Sequence, residues 1–157
     1  MGKIGWVHAW QEALYGPRGF YRGQVPARDF ATATHPPLGA VLAEAIWHYA
    51  DLLELSGVVD IGAGRGELIG ALHAHRPDRP LLGVDVVERP ADLPDGVGWL
   101  RGPGGAPLPD ELSDLTDVLV VAHEWLDVVP CVIGQLDADG VVREVLVDPT
   151  RGDEGLG

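Results

Sequence analysis

The 157 residues predict an α/β fold built on a parallel sheet. Three observations lead there. Short apolar runs at 57–61, 81–86 and 117–122 have the length of buried strands. Helical periodicity separates the first two, and strands alternating with helices pack as βαβ units. The first run passes straight into Gly62, Gly64 and Gly66, so a strand ends in a tight turn before a helix opens.

From the N-terminus, residues 4–14 place Trp6, Trp10, Ala13 and Leu14 on one helical stripe, which Gly16 and Pro17 stop. Residues 20–34 read as a long loop containing Phe20, Tyr21 and Phe30. Pro36 and Pro37 suit the first turn of a helix, where a missing N–H costs little. Leu38, Val41, Leu42, Ala45, Ile46, Tyr49, Leu52 and Leu53 continue it at i, i+3, i+4 spacing. A strand at 57–61, a helix at 67–75 closed before Pro77, and a second strand at 81–86 follow. A weaker third strand is expected at 97–100. A short helix starts at Pro109, with Leu112 and Leu115 turned inward. Residues 117–122 read as a buried strand. Last, 131–136 and 141–147 flank Asp137-Ala138-Asp139-Gly140, a hairpin whose glycine takes the positive-φ position. Trp6, Trp10, Trp47 and Cys131 are expected in the core.

Composition narrows the function. Lys plus Arg total 11 against 24 Asp plus Glu, a formal charge of −13. That disfavours nucleic acid and anionic membrane as partners and suits a cationic one. A single cysteine excludes an internal disulfide and a Cys-cluster zinc site. The six histidines form no H-E-x-x-H, the Asp137-x-Asp139-Gly140 turn lacks the glutamate of a calcium loop, and no metal is expected. No apolar run approaches the roughly 18 residues of a membrane span. No signal or transit pattern opens the sequence, so a cytoplasmic protein is the expectation. The length suits one structural domain. Within it, 1–56 is helical with a lid-like loop, 57–130 is the ligand-binding core, and 131–157 is a hairpin and tail.

The richest segment is Val58-Val59-Asp60-Ile61-Gly62-Ala63-Gly64-Arg65-Gly66-Glu67-Leu68. Its spacing is G-x-G-x-G, and Glu67 stands where a dinucleotide fingerprint has its third glycine. Asp60, two residues before the first glycine, repels a phosphate but can accept from an amino group; it could also merely cap the following helix. Asp85 ends the second strand, 25 residues later, where a carboxylate grips ribose hydroxyls. Together these read as a nucleoside site whose other end resembles an amino acid. S-adenosyl-L-methionine fits that description, with Asp60, Gly62, Ala63, Gly64, Gly66, Asp85 and Val86 as binding residues.

The glycine segment resembles motif I of class I methyltransferases. More narrowly, the sequence resembles the MidA-like family, relatives of the mitochondrial complex I arginine methyltransferase. Four blocks carry the likeness: Tyr15-Gly16-Pro17-Arg18-Gly19-Phe20-Tyr21, Asp29-Phe30-Ala31-Thr32-Ala33, the segment 60–68, and Ala122-His123-Glu124-Trp125-Leu126-Asp127-Val128-Val129-Pro130. The resemblance implies a Rossmann-like sheet with the four core strands in spatial order 3-2-1-4. It implies S-adenosyl-L-methionine as cofactor and a protein side chain, arginine in this family, as methyl acceptor. Gly19, Tyr21 and Thr32 would fold over the cofactor; plain core packing is the alternative for the aromatics. His123, Glu124 and Asp127 would meet the substrate, although Glu124 and Asp127 could instead cap a short helix or hold the N-terminal loop. His123 replaces the family's Asn, and unlike Asn it titrates near neutrality.

By the same resemblance the sheet is incomplete, the strand at 117–122 has an open edge unless the hairpin or another chain covers it, and the chain reads as truncated, ending without a terminal helix or strand. Two other functions fit the residues: a non-catalytic module for S-adenosyl-L-methionine binding or for assembly, and, against Glu67, a nicotinamide-linked oxidoreductase.

Overall fold

The computed structural model describes residues 2–23 and 32–157 and arranges them around two sheets. The larger element series is strand β1 (Ile4–Gly5), helices α1 (Trp6–Tyr15), α2 (Phe20–Gly23) and α3 (Leu38–Leu52), strand β2 (Gly57–Ile61), helix α4 (Glu67–His75), and strands β3 (Leu81–Asp85), β4 (Val97–Arg101) and β5 (Val118–Val121). Strands β6 (Gly134–Leu136), β7 (Val142–Val147) and β8 (Glu154–Leu156) complete it. Single 3-10 turns lie at Asp110–Leu112 and Leu126–Val128.

The first sheet is parallel, in the order β4-β3-β2-β5. Its period-2 alternation sorts the core into two layers. Val58 faces α3 and α4, where Trp47, Leu68, Ile69 and Leu72 are fully buried. Val59, Ile61 and Val84 face the opposite way, under Leu112, Leu115 and Trp125. Trp47 is fixed from both ends: its indole N–H donates to Leu72 O at 3.0 Å, and the guanidinium of Arg79 lies 5.0 Å from its ring.

Several expectations are corrected. Residues 4–5 are not helical; β1 pairs antiparallel with β7, Ile4 opposite Val147. The stretch 20–34 holds the short helix α2 instead of loop throughout. A strand does close the described residues, since β8 pairs with β7, Leu146 opposite Gly155. The hairpin of β6 and β7 turns on Gly140 (φ 76°), as its sequence predicts. It joins this second sheet and not the first, so among the described residues no strand covers the outer edge of β5. That strand is only partly buried, with Val120 51% exposed. Trp6 and Trp10 are half-buried, and Cys131 is exposed, because both regions lie outside the two core layers. Residues 29–31 of the second resemblance block lie outside the described residues.

The two ends of the chain therefore share one sheet, and this clamps α1 beside the C-terminal ends of the parallel strands. Because Leu72 is fully enclosed between α3 and the sheet, Leu72→Ala is expected to lower stability by about 2–5 kcal/mol, read as a reduced urea midpoint.

Candidate functional site

A cavity of about 220 Å³ opens at the C-terminal ends of β2, β3 and β5. That is far more than the ~10–15 Å³ one water requires, so it suits a small molecule. It lies where open α/β sheets bind their ligands.

Its floor is the glycine turn. Gly62, Gly64 and Gly66 have φ of 76°, 61° and 85°, which side-chain-bearing residues adopt only under strain. A Cβ on Gly62 would stand 2.9 Å from Cδ1 of Trp125. The turn is internally saturated. The N–H groups of Gly62 and Ala63 donate to Val84 O at 2.9 and 3.1 Å, and Gly66 N–H donates to Ala63 O at 2.8 Å. Gly64 N–H donates to Asp85 Oδ2 at 2.8 Å, and Arg65 N–H to Glu67 Oε2 at 3.0 Å. Every N–H from 62 to 66 is spent within the protein, so this turn offers a phosphate none of the donors that dinucleotide loops supply.

Two strand-end acids flank the turn. Asp60 is 2% exposed, borders the cavity, and receives no hydrogen bond from any described residue. Burial, then the charges of Asp85 and Glu67, push its carboxyl up to about 7. It does not cap α4, whose N-cap is Gly66 and has no side-chain cap. Asp85 is also raised, mainly by burial, although the N–H groups of Gly64 and Val87 (2.8 and 3.2 Å) pull the other way.

The N-terminal block forms the roof. Tyr15 and Tyr21 stack with ring centroids 5.6 Å apart, and both border the cavity. Tyr15 Oη donates to Val128 O at 3.0 Å. Arg22 straps the block down, donating to Tyr15 O at 2.6 Å and to Pro103 O at 2.9 Å. Burial and the neighbouring acids raise both phenols, Tyr15 to about 12, so each stays protonated.

The fourth resemblance block forms the far wall. His123, Glu124, Trp125 and Asp127 all border the cavity. Glu124 has φ 55° and, like Asp127, caps no helix. Its Oε1 lies 4.0 Å from His123 Nε2.

The structure thus brings together Asp60, Gly62, Ala63, Gly64, Asp85, Val86, Tyr21, Thr32, His123, Glu124 and Asp127. Two anticipated binding residues stand apart from the cavity wall. Gly66, under Leu93, is required by its φ of 85° at the start of α4, and Gly19 is packed against the backbone of Leu14. Sequence reasoning missed Tyr15, Thr34, His35, Trp125 and the 104–105 turn as wall residues. Tyr15 and Trp125 sat inside the quoted blocks. Gly104 follows β4, and a loop after a parallel strand is itself a signal. His35 had none.

No protein-family model matches the chain, and no curated protein does. Two solved structures from Burkholderia thailandensis do. One is a COG1565 superfamily member, assigned provisionally as a methyl transferase and bound to S-adenosyl-homocysteine; it is 23% identical, with a TM-score of 0.66 over 99% of this chain and 45% of its own. The other, an uncharacterized COG1565 superfamily protein, is 25% identical, with a TM-score of 0.64 over 99% of this chain and 43% of its own. The chain therefore spans less than half the length of either. These likenesses establish the Rossmann-like α/β fold expected from the sequence.

Asp60 sets a pH test. Its carboxyl is raised in the fold from an ordinary 3.8 to about 7, so only the folded state binds its proton between those values. The stability this contributes is present in acid and is lost as pH rises through about 7. Between roughly pH 4 and 7 the urea midpoint should fall with rising pH, by up to about 1.4 kcal/mol per unit from this residue, and Asp60→Asn should flatten that slope.

Proposed function

We propose that this chain binds S-adenosyl-L-methionine and belongs to a methyltransferase. The observation that carries the reading is the pairing of a saturated glycine turn with Asp60, a buried carboxyl that receives no hydrogen bond from any described residue. Such a floor rejects a phosphate and accepts an ammonium. Asp60 would take the amino group of the ligand's amino-acid arm. Asp85 would take the ribose hydroxyls on its remaining acceptor positions. Val86, Gly62, Ala63 and Gly64 would contact the nucleoside, with Tyr21 and Thr32 above it. When bound, the sulfonium would supply an electrophilic methyl group. The solved relative bound to S-adenosyl-homocysteine supports the same choice of ligand.

The chain's own residues would position the acceptor. Glu124 and Asp127 border the cavity beside His123, and a carboxylate there can orient an amine or guanidinium and take its proton. The acids around the cavity favour a cationic acceptor. We infer that the acceptor is a protein side chain, arginine by the MidA-like resemblance, with His123 performing the orienting role of that family's Asn. Of the described helices, none is long and apolar enough to cross a membrane, and a cytoplasmic setting remains part of this proposal.

Calorimetry separates the alternatives. S-adenosyl-homocysteine should bind and NAD should not; the reverse would establish the oxidoreductase instead. Affinity should rise with pH up to about 7, as Asp60 ionises, and then level off. Asp60→Asn should weaken binding by about tenfold and remove the pH dependence.

Labelled-methyl transfer in a lysate tests turnover. Glu124→Gln should leave S-adenosyl-homocysteine affinity within about twofold while lowering transfer by about 100-fold or more. Full transfer by that variant would show that Glu124 has no such role. Binding without any transfer by the unaltered chain would favour a non-catalytic module.

A further inference from the structure

Among the described residues, one side-chain polar atom is wholly shut off from solvent without a hydrogen-bond partner, Nε2 of His35; the Asp60 carboxyl, also without a described partner, reaches the cavity. His35 borders the cavity. Its other ring nitrogen, Nδ1, accepts the backbone N–H of Thr32 at 3.0 Å. A ring nitrogen that accepts carries no proton, so this bond assigns the proton of the neutral ring to Nε2. Thr32 Oγ1 lies 3.3 Å from the same Nδ1 and 2.6 Å from Thr34 Oγ1. The ring is therefore held with a donor that has nothing to donate to. A buried donor left unmet is costly, and a ligand acceptor relieves that cost.

The ligand proposed above carries one anionic group, the α-carboxylate of its amino-acid arm. The glycine turn has no N–H left to offer it. The next amides belong to the first turn of α4, but Glu67 opens that helix, borders the cavity and brings a negative charge of its own. Tyr15 has committed its hydroxyl proton to Val128 O. We propose that His35 binds the α-carboxylate of the ligand through its Nε2–H. This inference rests on the reading of S-adenosyl-L-methionine as ligand. Asp60 and His35 then divide the zwitterion between them: the acid holds the ammonium and the imidazole donor holds the carboxylate. Nε2 is shut off from solvent, so the ring must turn toward the ligand to exchange an unmet donor for a charge-assisted hydrogen bond.

The test compares two ligands by calorimetry on the 157-residue chain. S-adenosyl-homocysteine has the amino-acid arm; 5′-methylthioadenosine is the same nucleoside without it. His35→Phe should weaken S-adenosyl-homocysteine by about tenfold or more and leave 5′-methylthioadenosine unchanged, which also shows that the variant is folded. His35→Gln, which keeps a side-chain N–H near the Nε2 position, should recover part of the loss. Equal weakening of both ligands, or weakening of neither, overturns the assignment of His35 while leaving the proposed function standing. A wild-type chain that binds neither ligand overturns both.

Discussion

The hydrogen bond from Gly64 N–H to Asp85 Oδ2 is the contact on which the site depends. It ties the tip of β3 to the turn that leaves β2. Parallel pairing brings those tips level, with Ile61 opposite Val84, and the turn then closes on Val84 O through two further N–H groups. Once that closure is made, the character of the floor is fixed. Its amides face inward, and the polarity left for a ligand is that of carboxylates. Both strand-end carboxyls are raised, mainly by burial and further by neighbouring negative charge, Asp85 and Glu67 acting on Asp60 and Glu67 on Asp85. Such acids are poised for a cationic ligand, whose binding would stabilise their ionised forms.

The roof depends on contacts of a different range. Tyr15 and Tyr21 come from the first 21 residues, yet they lie above acids contributed by β3 and by the segment after β5. Pairing of β1 with β7 brings the N-terminus back beside the end of the chain. Arg22 and Tyr15 then fasten it to Pro103 and Val128. Each is a single hydrogen bond of about 1 kcal/mol net, and the tyrosine stack adds a comparable amount. The parallel sheet, by contrast, is anchored by fully buried side chains. The floor is thus rigid by packing, while the roof is held by a few polar contacts that a ligand can supplement.

Local order in the sequence predicts the floor and conceals the roof. Helix α4 occupies 67–75 and β2 occupies 57–61, as periodicity and glycine punctuation indicate. Those signals are short-range and need no knowledge of distant partners. Strands β1 and β8 have two and three residues and carry no alternation of their own; they exist because β7 lies between them. Burial fails as a local signal for the same reason. Leu38, Val41, Tyr49 and Leu52 share the helical rhythm of α3 but lie more than half exposed, because α4 and the core around it cover only the side of the helix carrying Ala43, Ile46, Trp47 and Ala50. In the site, Asp60, Asp85 and the 123–127 acids stand out by position at or just after strand ends. His35 does not, because its role arises from which nitrogen Thr32 occupies.

Backbone strain at Glu124 fits the same division of labour. A non-glycine residue at φ 55° costs about 1–3 kcal/mol and persists only where its surroundings impose it. Here both sides do. Trp125 is seated against Gly62, so close that a Cβ on that glycine would clash with it, and Val128 O receives the hydroxyl of Tyr15. The segment is pinned between the glycine turn and the N-terminal roof. The left-handed turn at 124 lets the chain leave β5 and still place Glu124, Trp125 and Asp127 on one cavity wall. Removing Cβ at Glu124 would relax the backbone and lose the carboxylate, so the strain is intelligible as the cost of holding an acid at that point. The saturated turn, the open His35 donor and the strained acid then form three sides of one cavity, each fixed by a contact to a different part of the chain.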